Sequence, residues 1–252
     1  DELAAYVREA QHDRRSYTVE LTPPPDRFPV KRGQIIGRTG DTGIGPAHLH
    51  YEIRDSRERP LNPRTLGITW DDSVAPMIDR LRVYPGDAGS FLNGAPEPVT
   101  VAVARKENGE YIADSVTATG TIGFGVAVVD RTPGGNVMGV QDLTLTQADT
   151  PLFNISLNRL SYDNHRDEVV CYDPYHNEKD HYQLLWRWPG NRTEGYHLTQ
   201  EAGWWKVPAE AAEVTVEAVD FMGNKTRLTI PITPAAPPTP VESVEDTAVA
   251  KK

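Results

Sequence analysis

Glycine and proline interrupt this chain so often that long helices have no room. Together they fill 41 of 252 positions (20 Gly, 21 Pro), or 16%, against an average of ~12%. Each ends regular structure for its own reason: Gly tolerates positive φ, while Pro presets φ and lacks an N–H. Short strands joined by tight turns are the expected architecture. Counting the 20 Gly with the 38% hydrophobic residues raises the apolar share to about 46%, within the ~45–50% of folded chains. Disorder of the whole chain is thereby excluded.

Charge narrows the partners. With 26 Lys+Arg against 36 Asp+Glu the formal charge is 26 − 36 = −10, which argues against nucleic acid, because phosphate binding needs a concentrated basic face. No apolar run approaches the ~18 residues of a membrane span; the best covers residues 123–129, so no transmembrane segment is expected. The single Cys171 cannot close an internal disulfide or build an all-thiolate metal site. The chain opens on Asp1 without a charged and then apolar leader, so the expectation is that something upstream was removed or never included.

Residues 1–15 place Leu3, Tyr6, Val7 and Ala10 at helical spacing and predict one short amphipathic helix. From Ser16 onward the chain reads as short β pieces at residues 17–21, 28–30, 34–36 and 48–53, separated by Pro23-Pro-Pro25 and by Gly33, Gly37, Gly40, Gly43 and Gly45. A polar, Pro-bearing stretch over residues 54–76 marks a boundary. Beyond it, β-like runs at residues 78–84, 99–104, 122–129, 143–146, 168–172, 214–219 and 226–232 predict an antiparallel, immunoglobulin-like β-sandwich. An internal echo supports this: Val126-Ala-Val-Val-Asp130 leads to Gly135-Asn136, and Val216-Glu-Ala-Val-Asp220 leads to Gly223-Asn224. The domains are drawn at residues 1–70 and 71–234, with residues 235–252 a disordered tail or linker.

The densest chemistry runs from Gly37 through Gly40-Asp-Thr-Gly43 to His48-Leu-His50. In a strand, residues i and i+2 share a face, so His48 and His50 point one way and Leu49 and Tyr51 the other. Two imidazoles then address one centre. Neutral imidazole binds zinc at ~2.0–2.1 Å, and a catalytic zinc takes three protein ligands plus water. On spacing alone two readings stand, a metal or catalytic pair and a merely polar strand face.

The whole stretch resembles the lysostaphin-type (LytM-like) zinc metallopeptidases. The likeness is carried by Pro29-Val-Lys-Arg-Gly-Gln-Ile-Ile-Gly37, Gly40-Asp-Thr-Gly43 and His48-Leu-His-Tyr-Glu-Ile-Arg54, with Leu61-Asn-Pro63 closing a module over about residues 16–63. It implies a mainly β peptidase core and an endopeptidase of the bacterial envelope, periplasmic or extracellular, that cuts the peptide cross-links of peptidoglycan with Zn2+. It gives His50 the zinc-ligand role and His48 a catalytic role beside a zinc-bound water of pKa around 7. There a histidine accepts a proton or donates to the oxyanion. The family's remaining ligands, a His-x-x-x-Asp pair, and a further active-site His come earlier in the chain, and nothing before Gly37 supplies them. The expectation is that this chain starts just past them, and that residues 1–252 alone bind zinc weakly and cut nothing. Pro46-Ala47 also stands where the family commonly has Gly-Pro, which alters a turn.

Other candidates weigh less. His176-Asn-Glu-Lys-Asp180, beside His181, is formally a His-x-x-x-Asp motif, but its Tyr-rich polar surroundings read as a solvated loop. Gly40 to Gly45 has phosphate-loop spacing with Pro46 where Lys is required. Trp204 and Trp205 must face opposite sides of a strand, leaving one free to stack on sugar or peptide, although burial of both, with Trp186 and Trp188 nearby in sequence, is the preferred reading. Asp130 and Asp220 suggest calcium ligands, but turn-forming side chains explain them without a metal. Three functions follow: a zinc endopeptidase, a degenerate relative that binds peptidoglycan or a partner without cutting, and an interaction module on a peptidase remnant.

Overall fold

A computed structural model of the chain describes residues 1–41, 45–175, 181–198 and 202–238. Thr42 and Gly43, His176 and Asp180, and most of the expected tail (residues 239–252) lie outside the described residues. The chain divides into two compact units, Asp1–Tyr51 and Glu52–Lys252.

The first unit opens with the predicted helix, Glu2–Arg14. Asp1 caps it, its carboxylate accepting the Ala4 N–H at 2.7 Å, and Arg15 ends it in a left-handed conformation. Tyr6 meets Phe28 edge-on with ring centroids 5.4 Å apart, and the Arg27 guanidinium lies over Phe28 while pairing with Glu2. The strands expected at residues 17–21, 28–30, 34–36 and 48–53 do not form; the only ladder contact among the described residues of this unit is a single bridge from Gly40 to His48. Here the pattern misled for a physical reason. A strand is stable when neighbours satisfy its edges and a core covers one face, and none of the described residues in 1–51 is buried. Ile35, Ile36 and Leu49 are at least 75% exposed.

The second unit makes the chain mainly β. One sheet places Tyr182–Leu184, Thr121–Arg131, Met77–Pro85 and Val99–Val101 side by side, all antiparallel. The other runs from Tyr196–Leu198 through Thr150–Ser156, Asp142–Gln147, Ala212–Val219 and Lys225–Pro234 to Tyr111–Ala113 and Val103–Arg105. This second sheet is mixed rather than purely antiparallel. Tyr111–Ala113 and Val116–Thr119 are two halves of one interrupted strand that keeps its direction across Asp114 and Ser115, so both pair in parallel with Lys225–Pro234.

Alternation builds the core. Ile122, Phe124 and Val126 from the first sheet join Leu143, Leu145, Val214, Val216, Ala218, Leu228 and Ile230 from the second in one buried cluster, with Val128 partly buried against it. Burying each such large side chain is worth about 1.5–3 kcal/mol. In Met77–Pro85 the buried positions step from Ile78 to Leu81 and Val83, because a register shift between Ile78 and Arg80 inserts one residue and resets the alternation. The strand expected over residues 168–172 is instead the end of a 3₁₀ helix, Tyr162–Cys171, started by the Ser161 hydroxyl accepting the Asp163 N–H.

Candidate functional site

His48 and His50 are both exposed. His48 Nδ1 lies 2.7 Å from the Pro46 carbonyl. A carbonyl only accepts, so in the neutral ring Nδ1 carries the proton and Nε2 keeps the lone pair, the tautomer a base or ligand acting through Nε2 requires. Among the described residues no third His, Cys, Asp or Glu joins either histidine in a ligand group; the group of three found is Asp72, Asp130 and Asp220. Two imidazoles do not fill a three-ligand zinc site. The described residues therefore do not make a zinc centre by themselves.

The three aspartates come from three elements of the second unit. Asp130 is the penultimate residue of the strand Thr121–Arg131, Asp220 begins the turn between Ala212–Val219 and Lys225–Pro234, and Asp72 precedes Met77–Pro85. Asn224 donates to the Asp72 carbonyl at 3.2 Å and Thr226 to the Pro76 carbonyl at 2.6 Å, which ties the approach segment to that turn. One carboxylate oxygen of each aspartate lies within 4.8 Å of the others. Burial pushes the Asp130 carboxyl up to about 6, and the negative charges of Asp220 and Asp72 add to the rise. At the effective dielectric of a protein site, two unit charges at such distances repel by roughly 3–4 kcal/mol.

The echoed aspartates are not equivalent. Asp220 is a turn former: its Oδ1 accepts from the amides of Met222, Gly223 and Asn224 at 2.6–2.9 Å, and its Oδ2 from the Asn224 side chain. The turn after Asp130 is closed by backbone alone, Thr132 and Asn136 bonding at 3.1 Å. Asp130 is 2% exposed and its Oδ1 has no hydrogen-bond partner. Turn formation thus accounts for one member of the echo and not the other.

An aromatic groove of about 380 Å³ lies on the outer face of the first sheet. Its floor is set by two glycines. Gly123 and Gly125 point outward from Thr121–Arg131, and a Cβ on Gly123 would come within 2.7 Å of both Trp186 and Trp204. Without side chains there, the indoles lie close against the sheet, their centroids 4.6 Å apart, with Tyr84 edge-on to Trp186 at 4.7 Å. Trp188 is 43% exposed at the rim, and Trp186 Nε1 is buried without an acceptor. Polar groups close one end: Tyr84 donates its hydroxyl to Asp173 at 2.7 Å, and Arg82 Nε stands 3.6 Å from the same carboxylate. Burial, then the hydrogen bond to Asp173, pushes the Tyr84 hydroxyl far above its ordinary pKa, so it stays a donor. Trp204 and Trp205 do face opposite sides: Trp205 is in the core, its Nε1 donating to Gln147 at 3.0 Å, while Trp204 lines the groove.

No family model matches the chain, and neither the curated proteins nor the solved structures contain a match. Sequence reasoning missed Asp72, Tyr84 and Asp173. The regular Gly123, Gly125 alternation was the available signal for the groove, since small outward residues on a strand invite a ring to lie on it. Nothing in the pattern around Asp72 sets it apart.

Proposed function

We propose that this chain belongs to a zinc endopeptidase of the bacterial cell envelope that cuts peptidoglycan cross-links, with His50 a zinc ligand and His48 a catalytic base. On this reading residues 1–70 carry the C-terminal part of a lysostaphin-like core, the following β domain is an immunoglobulin-like sandwich, and the remaining ligands come from residues other than those described. The observation that carries it is His48-Leu-His50 behind the Gly40 turn, with the His48 Nε2 lone pair unencumbered by the Pro46 contact. The test is digestion of purified peptidoglycan by the protein as encoded in its genome, with zinc content measured alongside. His50→Ala should lose both zinc and activity. His48→Ala should keep zinc and lose about 10²–10⁴-fold in rate. Undiminished digestion by His50→Ala would sink the assignment.

A second reading, binding of peptidoglycan without cutting, is favoured by the aromatic groove. Stacked rings beside an Arg and a carboxylate suit a ligand with apolar faces and polar edges, as sugars and short peptides have. Co-sedimentation with insoluble peptidoglycan by a protein that digests none would favour it over the first.

A further inference from the structure

We propose that Asp72, Asp130 and Asp220 form a calcium site that joins the two sheets at one end of the second, mainly β unit. The oxygens offered by the three carboxylates lie within 4.8 Å of one another. That is about the diameter of a calcium shell, whose ligands stand ~2.3–2.6 Å from the ion. The donors are all oxygen, which suits a hard cation and not zinc in a nitrogen or sulfur set.

Acidic side chains often gather without a metal, and here the deciding observation is Asp130. A buried carboxylate oxygen normally has a donor, because desolvating it unpaired is costly. Asp130 is 2% exposed, and its Oδ1 has none. Among the described residues no Lys, Arg or His forms an ion pair with any of the three; the Arg64 guanidinium lies against the backbone of Gly223 in the Asp220 turn. A cation between the carboxylates gives the buried Asp130 carboxylate the partner that its Oδ1 lacks in the protein, and offsets the repulsion among the three.

Calcium is preferred over magnesium on geometry. Magnesium demands a near-ideal octahedron at ~2.0–2.1 Å, whereas calcium accepts an irregular set of six to eight oxygens filled out by water and carbonyls. Three aspartates on a strand end, a turn and an approach segment, one of them half-exposed, are such an irregular set. With so few carboxylates the affinity belongs in the range of extracellular modules, on the order of 10⁻⁴–10⁻³ M. All three residues lie in Glu52–Lys252, so the inference does not depend on the peptidase reading.

The test is thermal unfolding of EDTA-stripped protein titrated with CaCl2 or MgCl2, with isothermal calorimetry for the affinity. Millimolar calcium should raise Tm progressively, as mass action requires of a ligand bound only by the folded state. Magnesium at the same concentration should raise it less. Asp130→Asn keeps the shape and removes a buried charge, so in EDTA it should melt above the wild type, while its calcium affinity falls by at least about tenfold. Asp72→Asn, at a half-exposed position, should lose the calcium response likewise and decides the matter if Asp130→Asn fails to fold. A wild type whose Tm ignores calcium, a variant response equal to the wild type's, or magnesium matching calcium would each overturn the proposal.

Discussion

Trp204 lies against the bare Cα of Gly123: a Cβ there would come within 2.7 Å of its indole and of that of Trp186. This contact converts a missing side chain into an aromatic groove. It also makes the sharpest stability prediction. Gly123→Ala should cost about 1–3 kcal/mol by overpacking and should shift Trp fluorescence as the rings are displaced. Gly139→Ala, where nothing lies within 4 Å, should stay within about 0.5 kcal/mol. Urea unfolding of the two variants checks both.

Groove binding is testable at the rim. Trp188 is 43% exposed and meets Trp186 edge-on at 6.2 Å, so Trp188→Ala should cost on the order of 1–2 kcal/mol and leave the fold intact. If the groove holds peptidoglycan, the same change should weaken co-sedimentation by about 2- to 12-fold, the equivalent of ~0.5–1.5 kcal/mol of ring stacking. Unchanged sedimentation in both Trp188→Ala and Trp204→Ala would remove the groove from the binding reading.

The Asp220 turn depends on one oxygen. Asp220 Oδ1 accepts three backbone N–H groups and the residue is fully buried. Asp220→Ala orphans those donors and should cost about 2–4 kcal/mol in metal-free buffer. Asp220→Asn keeps the acceptor and should cost less than half as much. Equal costs in denaturant titrations would show that the charge, not the acceptor, holds the turn.

The pH response at Asp55 has a defined sign. Arg59 donates to it at 2.8 Å and pairs with it at 2.6 Å, and that hydrogen bond holds the carboxyl down at about 2. A carboxyl lowered in the folded state contributes stability above its ordinary value of ~3.9, and that contribution fades as pH falls from there through about 2. Carbon-detected NMR should find the Asp55 midpoint near 2, and Arg59→Ala should return it toward the ordinary value. A midpoint unchanged by that substitution would contradict the pairing.

Much of the second, mainly β unit was legible in the chain. Val126, Val128, Val216 and Ala218 alternate in sequence and face one core in space, because a strand's two-residue period survives whatever it packs against. The helix at the start was legible too, from the spacing of Leu3, Tyr6, Val7 and Ala10. Residues 16–51 have the same kind of pattern, and their described residues form no strand, since a strand is completed by neighbours that local sequence does not specify. Proximity across sheets was equally hidden. The echo put Asp130 and Asp220 at matching strand ends, yet only the packing of two sheets brings them together and adds Asp72. Alternation and turn residues thus determined which segments extend and which side they bury, being local properties of the backbone. Which charges meet, which carboxylate oxygen is left without a donor and which rings share a groove were decided by tertiary structure, because those depend on contacts between residues far apart in the chain.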